Sequence, residues 1–420
     1  MSQDGIGDSQ WLEEGLRTAL LLDGSRLLES LLQCVKPADD RPLPGEKCHH
    51  NRPLVIQTLL GPVKLLRNYY YHPAKGAGVC GRCPLDKALG LFEHVTPGLA
   101  KIASRAAAES SYQQASEDLA QLAGIQMHPR QLQRLCQNVG ATLREKLKRL
   151  PPPPPPKSLP VLYVEMDGTG VPMNRAALQG RQGRGPDGSA KTREVKLCCV
   201  FTQSGLDKNG DPVRDEASTT WVAGFETASD FGPRARDEAV RRGAARARRT
   251  VLLGDGAAWI WELARTCFPE ATCILDFWHA SQYLATMAAL VNPGDKSAAD
   301  ALYDDWRGKM RLSQISQVLA QARGLQAGLD VQSAAWSEME KCVNYLQNQQ
   351  SRMDYAAYRK DGLFIGSGVV EAGCKKVIGA RFKASGMFWG EPGARNLLQI
   401  RTALLSQNRF NEFWEARAAA

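Results

Sequence analysis

The chain has 420 residues, of which 43% are hydrophobic and 23% charged, as in ordinary globular proteins of two or three domains. It lacks an apolar run of roughly 18 residues and a secretory signal pattern, and its eleven cysteines are scattered, so we expect a cytoplasmic protein without disulfides or membrane contact. The formal net charge is +9; residues 1–40 carry −5, so the remaining 380 residues carry +14. A basic body of this kind favours a polyanionic partner, and charge that serves solubility alone is an equally open interpretation.

The first third of the chain is predicted to be mostly helical, with one small β element. Residues 8–35 show leucines at helical spacing, and residues 52–71 read as two strands joined at a Gly-Pro turn. Apolar spacing in the remainder is helical again. The predicted divisions are a helical segment 1–45, a small β element with cysteines 46–95, and a helical region 96–150.

A helix-turn-helix pattern lies inside the third of these divisions. Residues 111–136 read as a helix, a turn at Gly124 and a second helix that starts near Pro129. On that second helix, Arg130, Gln131 and Arg134 would be available to base edges or phosphates of double-stranded DNA. An ordinary helical hairpin is the alternative interpretation.

Six consecutive prolines mark the clearest boundary. They predict a semi-rigid polyproline II linker over residues 151–157. The pattern beyond it predicts three strands (160–166, 193–202, 218–226), followed by alternating helices and strands (234–249, 251–254, 257–267, 271–276), a long helical stretch (278–361) and two last helices (368–380, 392–406).

That order of elements is the order of the ribonuclease H-like α/β fold. We therefore expect a catalytic domain made of residues 158–279 and 363–406, interrupted by a helical insertion 280–362. The insertion is expected to pack beside the site and to assist dimerisation or grip DNA. Residues 407–420 are assigned as a C-terminal tail.

Three acidic residues stand where such a fold places catalytic groups. VLYVEMDGTG and VLLGDGAAWIW read as apolar strands that run into Asp167 and Asp255, and FIGSGVVEAGCKK reads as a glycine-rich turn opening a helix that carries Glu371. Carboxylates on three elements can converge on Mg²⁺ or Mn²⁺, and two such ions can clamp a phosphoryl transfer. Each acid alone also fits a turn or a helix cap. Glu165, on the same strand face as Asp167, is a spare candidate.

Asp276 and His279 follow the fifth strand in ILDFWHA. Their spacing would bring both to one side of a helix start, where His279 could contact phosphate while Asp276 orders its ring. The alternative is an aspartate N-cap beside a buried, hydrogen-bonded histidine.

Basic residues flank the proposed site. Arg242, Arg246 and Arg249 would form one stripe on the helix predicted before Asp255, either contacting phosphates or simply facing solvent. Beyond Glu371, the residues expected to neutralise phosphate or stack on an unpaired base are Lys375, Lys376, Arg381, Lys383 and Trp389. Trp389 also fits a core position.

Long motifs make a family resemblance specific. DGTG, GDGAAWIWELARTCFPEATCILDFWHA and GSGVVEAGCKKVIGARFKASGMFWG, with CGRCPLDKALGL and SSYQQASEDLAQLAGI in the N-terminal half, resemble bacterial insertion-sequence transposases of the ISKra group. These are DDE enzymes distantly similar to Mutator-type transposases. The resemblance spans about residues 50–405. It implies that Asp167, Asp255 and Glu371 are the catalytic acids and that Asp276 and His279 form the accessory Asp-x-x-His pair.

The same resemblance raises the question of zinc, since such families often carry two cysteine pairs in the N-terminal region. Here only the pair Cys80 and Cys83 is intact, and Cys48 with His50 stands in the place of the other. These four residues are chemically acceptable tetrahedral zinc ligands. A degenerate knuckle held by packing is equally open, because one CxxC is a weak signal.

The sequence thus predicts a DDE transposase that cuts insertion-sequence ends with Mg²⁺ or Mn²⁺ and joins them to target DNA, acting as a homodimer or larger assembly. Such a protein is expected at the bacterial nucleoid. Two alternatives stay open: a transposase-derived DNA-binding protein without catalysis, and a structure-selective nuclease of the same fold.

Overall fold

The computed structural model describes residues 9–73, 81–146, 159–183 and 185–418. The predicted polyproline linker and Cys80 lie outside these residues. The chain divides into two compact units. The first comprises the described parts of Met1–Leu150, Glu391–Leu404 and Arg409–Ala420, and the second comprises those of Pro151–Gly390 and Leu405–Asn408.

The N-terminal part of the chain contains one hairpin among helices, as predicted. Its elements are α1 (Ser9–Gln33), β1 (Lys47–Thr58), β2 (Gly61–Tyr71), α2 (Pro84–Ala88), α3 (Pro97–Glu109), α4 (Tyr112–Ala123) and α5 (Pro129–Lys146). Leu54, Ile56, Val63 and Leu65 alternate along the hairpin and form a small core on one of its faces, against which α1 packs.

The second unit begins with strands and continues with helices. Its elements up to the fifth sheet strand are β3 (Val161–Pro172), α6 (Arg175–Leu178), β4 (Thr192–Gln203), β5 (Gly205–Leu206), β6 (Pro212–Val213), β7 (Thr220–Gly224), α7 (Ala228–Arg241), β8 (Arg249–Gly254), α8 (Ala258–Cys267) and β9 (Thr272–Leu275). The remaining elements of the chain are α9 (Phe277–Val291), α10 (Lys296–Arg311), α11 (Ile315–Gln326), α12 (Ala334–Gln349), α13 (Tyr355–Lys360), α14 (Gly368–Gly373), α15 (Ala380–Phe382), α16 (Glu391–Leu405) and α17 (Arg409–Ala418).

A mixed sheet organises the second unit. In the described part of the chain it has five strands in the order β7-β4-β3-β8-β9. β4 runs antiparallel to both β3 and β7, whereas β8 runs parallel to β3 and β9 parallel to β8. The carboxyl ends of β8 and β9 therefore lie beside the middle of β3, where the parallel ladder of β3 and β8 ends at Met166.

Both faces of this sheet are covered, which explains why the central strands are mostly apolar over residues 161–166 and 197–201. On one face, Leu162, Val164 and Met166 of β3 pack with α7 and α8 through residues such as Phe231 and Ile260. The intervening residues of β3 point to the other face, where α14 contacts β3 and β4. Glu165 and Asp167 lie on that second face.

The helical insertion predicted for 280–362 is present as the rest of α9 and α10 to α13, and α12 and α10 both pack on α9. Within the residues that the structure describes, no helix is both long and apolar enough to cross a membrane.

The unit boundary differs from the predicted domains at the C-terminus. Residues 391–404, assigned to the catalytic domain, belong to the first unit, and the assigned tail contains α17 of that unit. Buried contacts account for this. The Arg401 Nη1 donates to the Ala108 carbonyl and to Glu109, each at 2.8 Å, and the α16 backbone at Asn396 leaves room only for glycine at Gly140.

The predicted helix over 234–249 was wrong at both ends. α7 spans Ala228–Arg241, and Gly243 adopts a left-handed φ of +101°, which ends the helix. Arg246 then lies in a short 3₁₀ turn and Arg249 begins β8. The three arginines therefore do not form a stripe on one helix.

Candidate active site

The register of β3 and β8 brings the first two acids side by side. Met166 pairs with Gly254 as the last pair in this parallel ladder. One position further along each strand stand Asp167 and Asp255. Since adjacent strands lie about 4.8 Å apart, the two acids are neighbours at the end of this ladder, and the Asp255 charge acts on Asp167.

A tight turn holds Asp255. Its Oδ1 accepts a hydrogen bond from the Ala257 N–H at 3.0 Å, directly before α8. Gly256 has a φ of +95°, and a Cβ there would overlap the Tyr345 hydroxyl. That hydroxyl donates to the Asp255 carbonyl at 2.5 Å, and the Gln349 amide donates to the Gly256 carbonyl at 3.3 Å. α12 of the inserted block thus fastens the second acid.

Glu371 lies on α14, and the segment that leads into this helix is tied to the sheet. Asp276, fully buried at the end of β9, accepts hydrogen bonds through Oδ2 from the Ser367 backbone N–H and from its hydroxyl at 2.8 Å. Upstream, the Phe364 N–H donates to the Tyr163 hydroxyl at 3.1 Å. These contacts set where α14 begins and therefore where Glu371 stands.

Glu165 adds a buried tether. Its Oε2 accepts from the Val370 N–H at 2.9 Å and from the Cys199 thiol at 3.7 Å, while the side chain is entirely inaccessible to solvent. Burial, which is only partly offset by these donors, raises the pKa of this carboxyl to about 8. Glu165 therefore positions α14 from the buried side of that helix, and its carboxylate does not reach the solvent-exposed part of the site.

The acids influence one another electrostatically. Burial raises the pKa of Asp167, the Asp255 charge raises it further, and His279 opposes the change. Burial likewise raises the pKa of Glu371, with Asp276 and Asp167 adding to it and Lys375 and His279 opposing. Carboxylates that disfavour each other's charge are the arrangement that a bound cation relieves.

Cys374 is a site residue that sequence reasoning missed. Its thiol donates to Asp167 Oδ2 at 3.2 Å, and burial together with the Asp167 charge raises the pKa of this thiol far above its usual value. It stands three residues after Glu371, so helical spacing alone predicts that both share a face. Cys374 also opens a π-helical turn, Cys374–Gly379, a distortion often found at functional sites.

Asp276 is a helix cap, which was the structural alternative for the Asp276–His279 pair. Asp276 caps α9 by accepting the His279 backbone N–H at 2.5 Å, and it does not hold the ring. The imidazole is half-buried and lies edge-on to Tyr283 and Tyr345, which stack with centroids 3.9 Å apart. His279 nevertheless interacts electrostatically with the carboxylates of Asp167 and Glu371.

The donor set suits a hard divalent cation, but it is not a closed cage. Among the described residues, no group of three or more His, Cys, Asp or Glu side chains is gathered tightly enough to hold a metal ion. Asp167 and Asp255 each use one oxygen to accept a local backbone N–H, from Gly168 at 2.6 Å and from Ala257, and the other Asp167 oxygen accepts the weak Cys374 thiol donor. Mg²⁺ commonly uses one or two carboxylates and completes its shell with water and substrate phosphate, so an open oxygen set fits it.

Three predicted lysines surround the acids. Lys375 and Lys376 are exposed on the π-helical turn. Lys376 also lines a cavity of about 480 Å³ on the β7 side of α14, together with Arg214 and Trp221. Lys383 is exposed, and its ammonium donates to the Thr169 hydroxyl, two residues beyond Asp167. Positive charge therefore flanks the acids on α14 and on β3.

Arg381 and Trp389 correct the prediction of DNA contact. Arg381 is 1% exposed and its guanidinium lies 5.0 Å from the centroid of the Trp389 ring, while Trp389 is 9% exposed and donates to the Phe382 carbonyl at 3.1 Å. Both are core residues of the second unit. A side chain enclosed in this way cannot stack on a base or clamp a phosphate, so the core alternative for Trp389 is the correct one.

Two of the three arginines before Asp255 form hydrogen bonds or an ion pair with other residues of the second unit. Arg242 donates to the Ser218 carbonyl at 2.9 Å and to the Gln407 amide at 2.8 Å, and Arg249 pairs with Asp361 at 2.7 Å. Arg246 is exposed. These contacts give Arg242 and Arg249 structural roles.

The predicted helix-turn-helix elements are present in the first unit. α4 ends at Gly124 with a left-handed φ of +69°, α5 begins at Pro129, and α3 packs on both helices. Arg130, Gln131 and Arg134 are exposed on α5, although Gln131 also caps the helix by accepting the His128 N–H at 2.9 Å.

The described residues contain only part of the predicted zinc tetrad. The Cys48 sulfur lies 3.5 Å from His50 Nδ1 on β1, and Cys83 precedes α2. Cys80 lies outside the described residues, so the tetrad stays a prediction.

The fold and site define a mixed α/β protein with an acidic centre where the parallel ladder of β3 and β8 ends. Its sequence matches the Uncharacterised protein family (UPF0236) over residues 26–414, and the chain belongs to that family. No curated protein sequence matches it. One similar solved structure is the Drosophila P element transposase strand transfer complex, with 9% identity and a TM-score of 0.37, covering 74% of this chain and 92% of that chain. The narrower ISKra-group resemblance stays a prediction.

Proposed function

We propose that this protein is a DDE transposase, which cleaves DNA at the ends of an insertion sequence and transfers the strand into target DNA. The observation that carries the proposal is the strand register that sets Asp167 beside Asp255, together with the electrostatic interaction between Asp167 and Glu371. The sheet order, with two antiparallel and two parallel pairings around β3, is the one expected for a ribonuclease H-like domain.

In this proposal, Asp167, Asp255 and Glu371 hold the divalent ions. Such ions, when bound, supply Lewis-acid polarisation of phosphate oxygens and increase the acidity of a water or a 3′-hydroxyl. The chain itself contributes position and charge. Tyr345 and Asp276 fix the backbone that presents the acids, and Lys375 and Lys383 offset phosphate charge beside them.

Recognition of DNA is assigned to two regions. α5 presents Arg130 and Arg134 to the solvent and is the proposed reader of element ends. Around the acids, Lys375, Lys376 and Lys383 are the proposed contacts to the backbone of the reacting strand. Arg246 is a further exposed candidate.

The test is Asp255→Asn on the full chain with DNA that carries the terminal inverted repeats. Asparagine keeps the side-chain oxygen that accepts the Ala257 N–H, so the turn survives while one negative charge is lost. Cleavage in Mg²⁺ or Mn²⁺ is expected to fall at least about a hundredfold with DNA affinity unchanged. Asp295→Asn is the matched control, because Asp295 caps α10 by the same type of hydrogen bond at 3.0 Å.

The outcomes separate the three functions. Parental cleavage by the Asp255 variant refutes the catalytic assignment. Repeat binding without cleavage by the wild-type chain indicates a DNA-binding protein derived from a transposase. Cleavage that never leads to joined target DNA indicates a nuclease.

A further inference from the structure

α1 has two apolar faces, and the described chain covers only one of them. Leu21, Leu28 and Leu32 lie toward the hairpin and the turn at Gly124, where they pack on neighbouring side chains. The Glu29 carboxylate and the Gln33 amide bond the β2 backbone from the same side. This face anchors α1 to the first unit.

The other face is a stripe of leucines in water. At 3.6 residues per turn, five of them fall within about 100° of the helix circumference, opposite the anchored face. They are Leu12, Leu16, Leu20, Leu27 and Leu31, exposed by 48%, 62%, 64%, 63% and 60%. A helix that is apolar on opposite sides is normally buried on both, and a contiguous exposed patch marks an interaction surface.

The spacing of the stripe is self-complementary. The pair Leu12 and Leu16 and the pair Leu27 and Leu31 have the same four-residue separation and lie symmetrically about the middle of the helix. In an antiparallel pair of identical helices, Leu12 therefore faces Leu31 and Leu16 faces Leu27 of the other copy. Interfaces of this isologous kind bury the same patch on both copies.

Charge selects the antiparallel direction. Asp23 lies in the middle of the stripe and is exposed, with its side chain 3.2 Å from Arg26. Parallel helices in register would place the two Asp23 carboxylates against each other in the apolar seam. Antiparallel helices place each Asp23 against Leu20 of the other copy, so the two carboxylates are offset by three residues, about 4.5 Å, along the helix axis.

We propose that α1 docks antiparallel on α1 of a second copy of this chain. Five leucines that each remove roughly 100 Å² from water would bury about 1,000 Å² over the two copies, the lower limit of specific interfaces. The proposal does not depend on DNA cleavage, because it rests only on the leucine stripe and Asp23.

The test is the oligomeric state of the full chain without DNA, by sedimentation equilibrium across the micromolar range. The wild type is expected to be a dimer. The double variant Leu16→Glu, Leu27→Glu is expected to raise the dissociation constant at least about a hundredfold, because each glutamate faces a glutamate of the other copy. The variant Leu16→Glu, Leu27→Lys is expected to restore the dimer, since opposite charges then meet only in the antiparallel arrangement.

The control is Leu312→Glu with Leu325→Glu, which adds the same charge at leucines of the second unit that are 61% and 41% exposed. It should leave the dimer intact, and circular dichroism should show all variants folded. A monomeric wild type, or a dimer indifferent to the α1 glutamates, overturns the proposal. Failure of the Glu–Lys variant to dimerise overturns the antiparallel arrangement. A monomer that instead binds lipid vesicles would show that the stripe serves another surface.

Discussion

Replacing Glu165 by glutamine isolates the effect of one buried charge. The Glu165 side chain is inaccessible to solvent, and its Oε2 accepts the Val370 N–H at 2.9 Å, a bond that the glutamine carbonyl can keep. Burial raises the pKa of the glutamate from 4.5 to about 8 in the folded protein. Glutamine has the same shape and does not titrate, so the variant removes the ionisation. Its amide N–H groups take the place of Oε1, for which the described residues offer no hydrogen-bond partner, at a cost that does not change with pH.

The magnitude follows from the linkage between protons and folding. Because the folded pKa is raised, the folded state binds more protons than the unfolded state between pH 4.5 and about 8. Wild-type stability therefore falls as pH rises through this window, by about 1.4 kcal/mol per pH unit. The penalty is about 1 kcal/mol at pH 5 and about 3 kcal/mol at pH 7. Glu165→Gln should escape it, so its advantage grows with pH.

Urea unfolding without divalent cations, followed by tryptophan fluorescence at pH 5, 6 and 7, measures this advantage. The fluorescence reports mainly the second unit, which holds seven of the nine tryptophans. Glu194→Gln on β4 is the control, since its carboxylate is 48% exposed in an ion pair with Lys196 and its loss should cost at most about 1 kcal/mol. An advantage of Glu165→Gln that is the same at every pH would refute the reasoning.

Two other substitutions test the contact of Tyr345 with Asp255 and the burial of Arg381. Tyr345→Phe removes the hydroxyl that donates to the Asp255 carbonyl, and it should reduce DNA cleavage about tenfold and lower the unfolding free energy by about 1 kcal/mol, with DNA affinity unchanged. Tyr303→Phe on α10 is the control in the same cleavage assay. Equal cleavage rates for the two variants would exclude a role for the contact. Arg381→Ala should lower the unfolding free energy by about 3 kcal/mol, because the truncation leaves a cavity in the core and removes the cation–π contact with the Trp389 ring. Lys383→Met should instead weaken DNA binding with little change in stability, and the reverse pattern would restore the original assignment of Arg381 to DNA.

Local sequence patterns predicted the parts of the fold that depend on periodicity. β3 alternates between two covered faces, and an acid follows the parallel-paired stretch of β3, β8 and β9 in turn, so the strands and the neighbouring positions of Asp167 and Asp255 could be predicted. The helix that carries Glu371 followed from a glycine-rich turn before an apolar run. Cys374 was within reach of the same helical spacing.

Burial and long-range contacts could not be predicted in this way. Arg381 and Lys383 look alike in the sequence, yet one is enclosed and the other exposed, because only the packing of α15 against Trp389 distinguishes them. The arginine stripe failed at Gly243, where a left-handed residue ends α7 although charged residues with good helix propensity continue beyond it. A single glycine outweighed a composition that favours helix.

The contact between Tyr345 and Asp255 changes how the inserted helices should be regarded. Ninety residues separate the two in the chain, yet the hydroxyl of one bonds the carbonyl of the other, and Gly256 is needed there both for its φ of +95° and for the space the hydroxyl occupies. α12 in turn stacks Tyr345 on Tyr283 of α9, the helix that Asp276 caps. An insertion that merely served assembly would have no reason to hold the backbone of the second acid, so the inserted helices are best regarded as part of the scaffold of the acidic site.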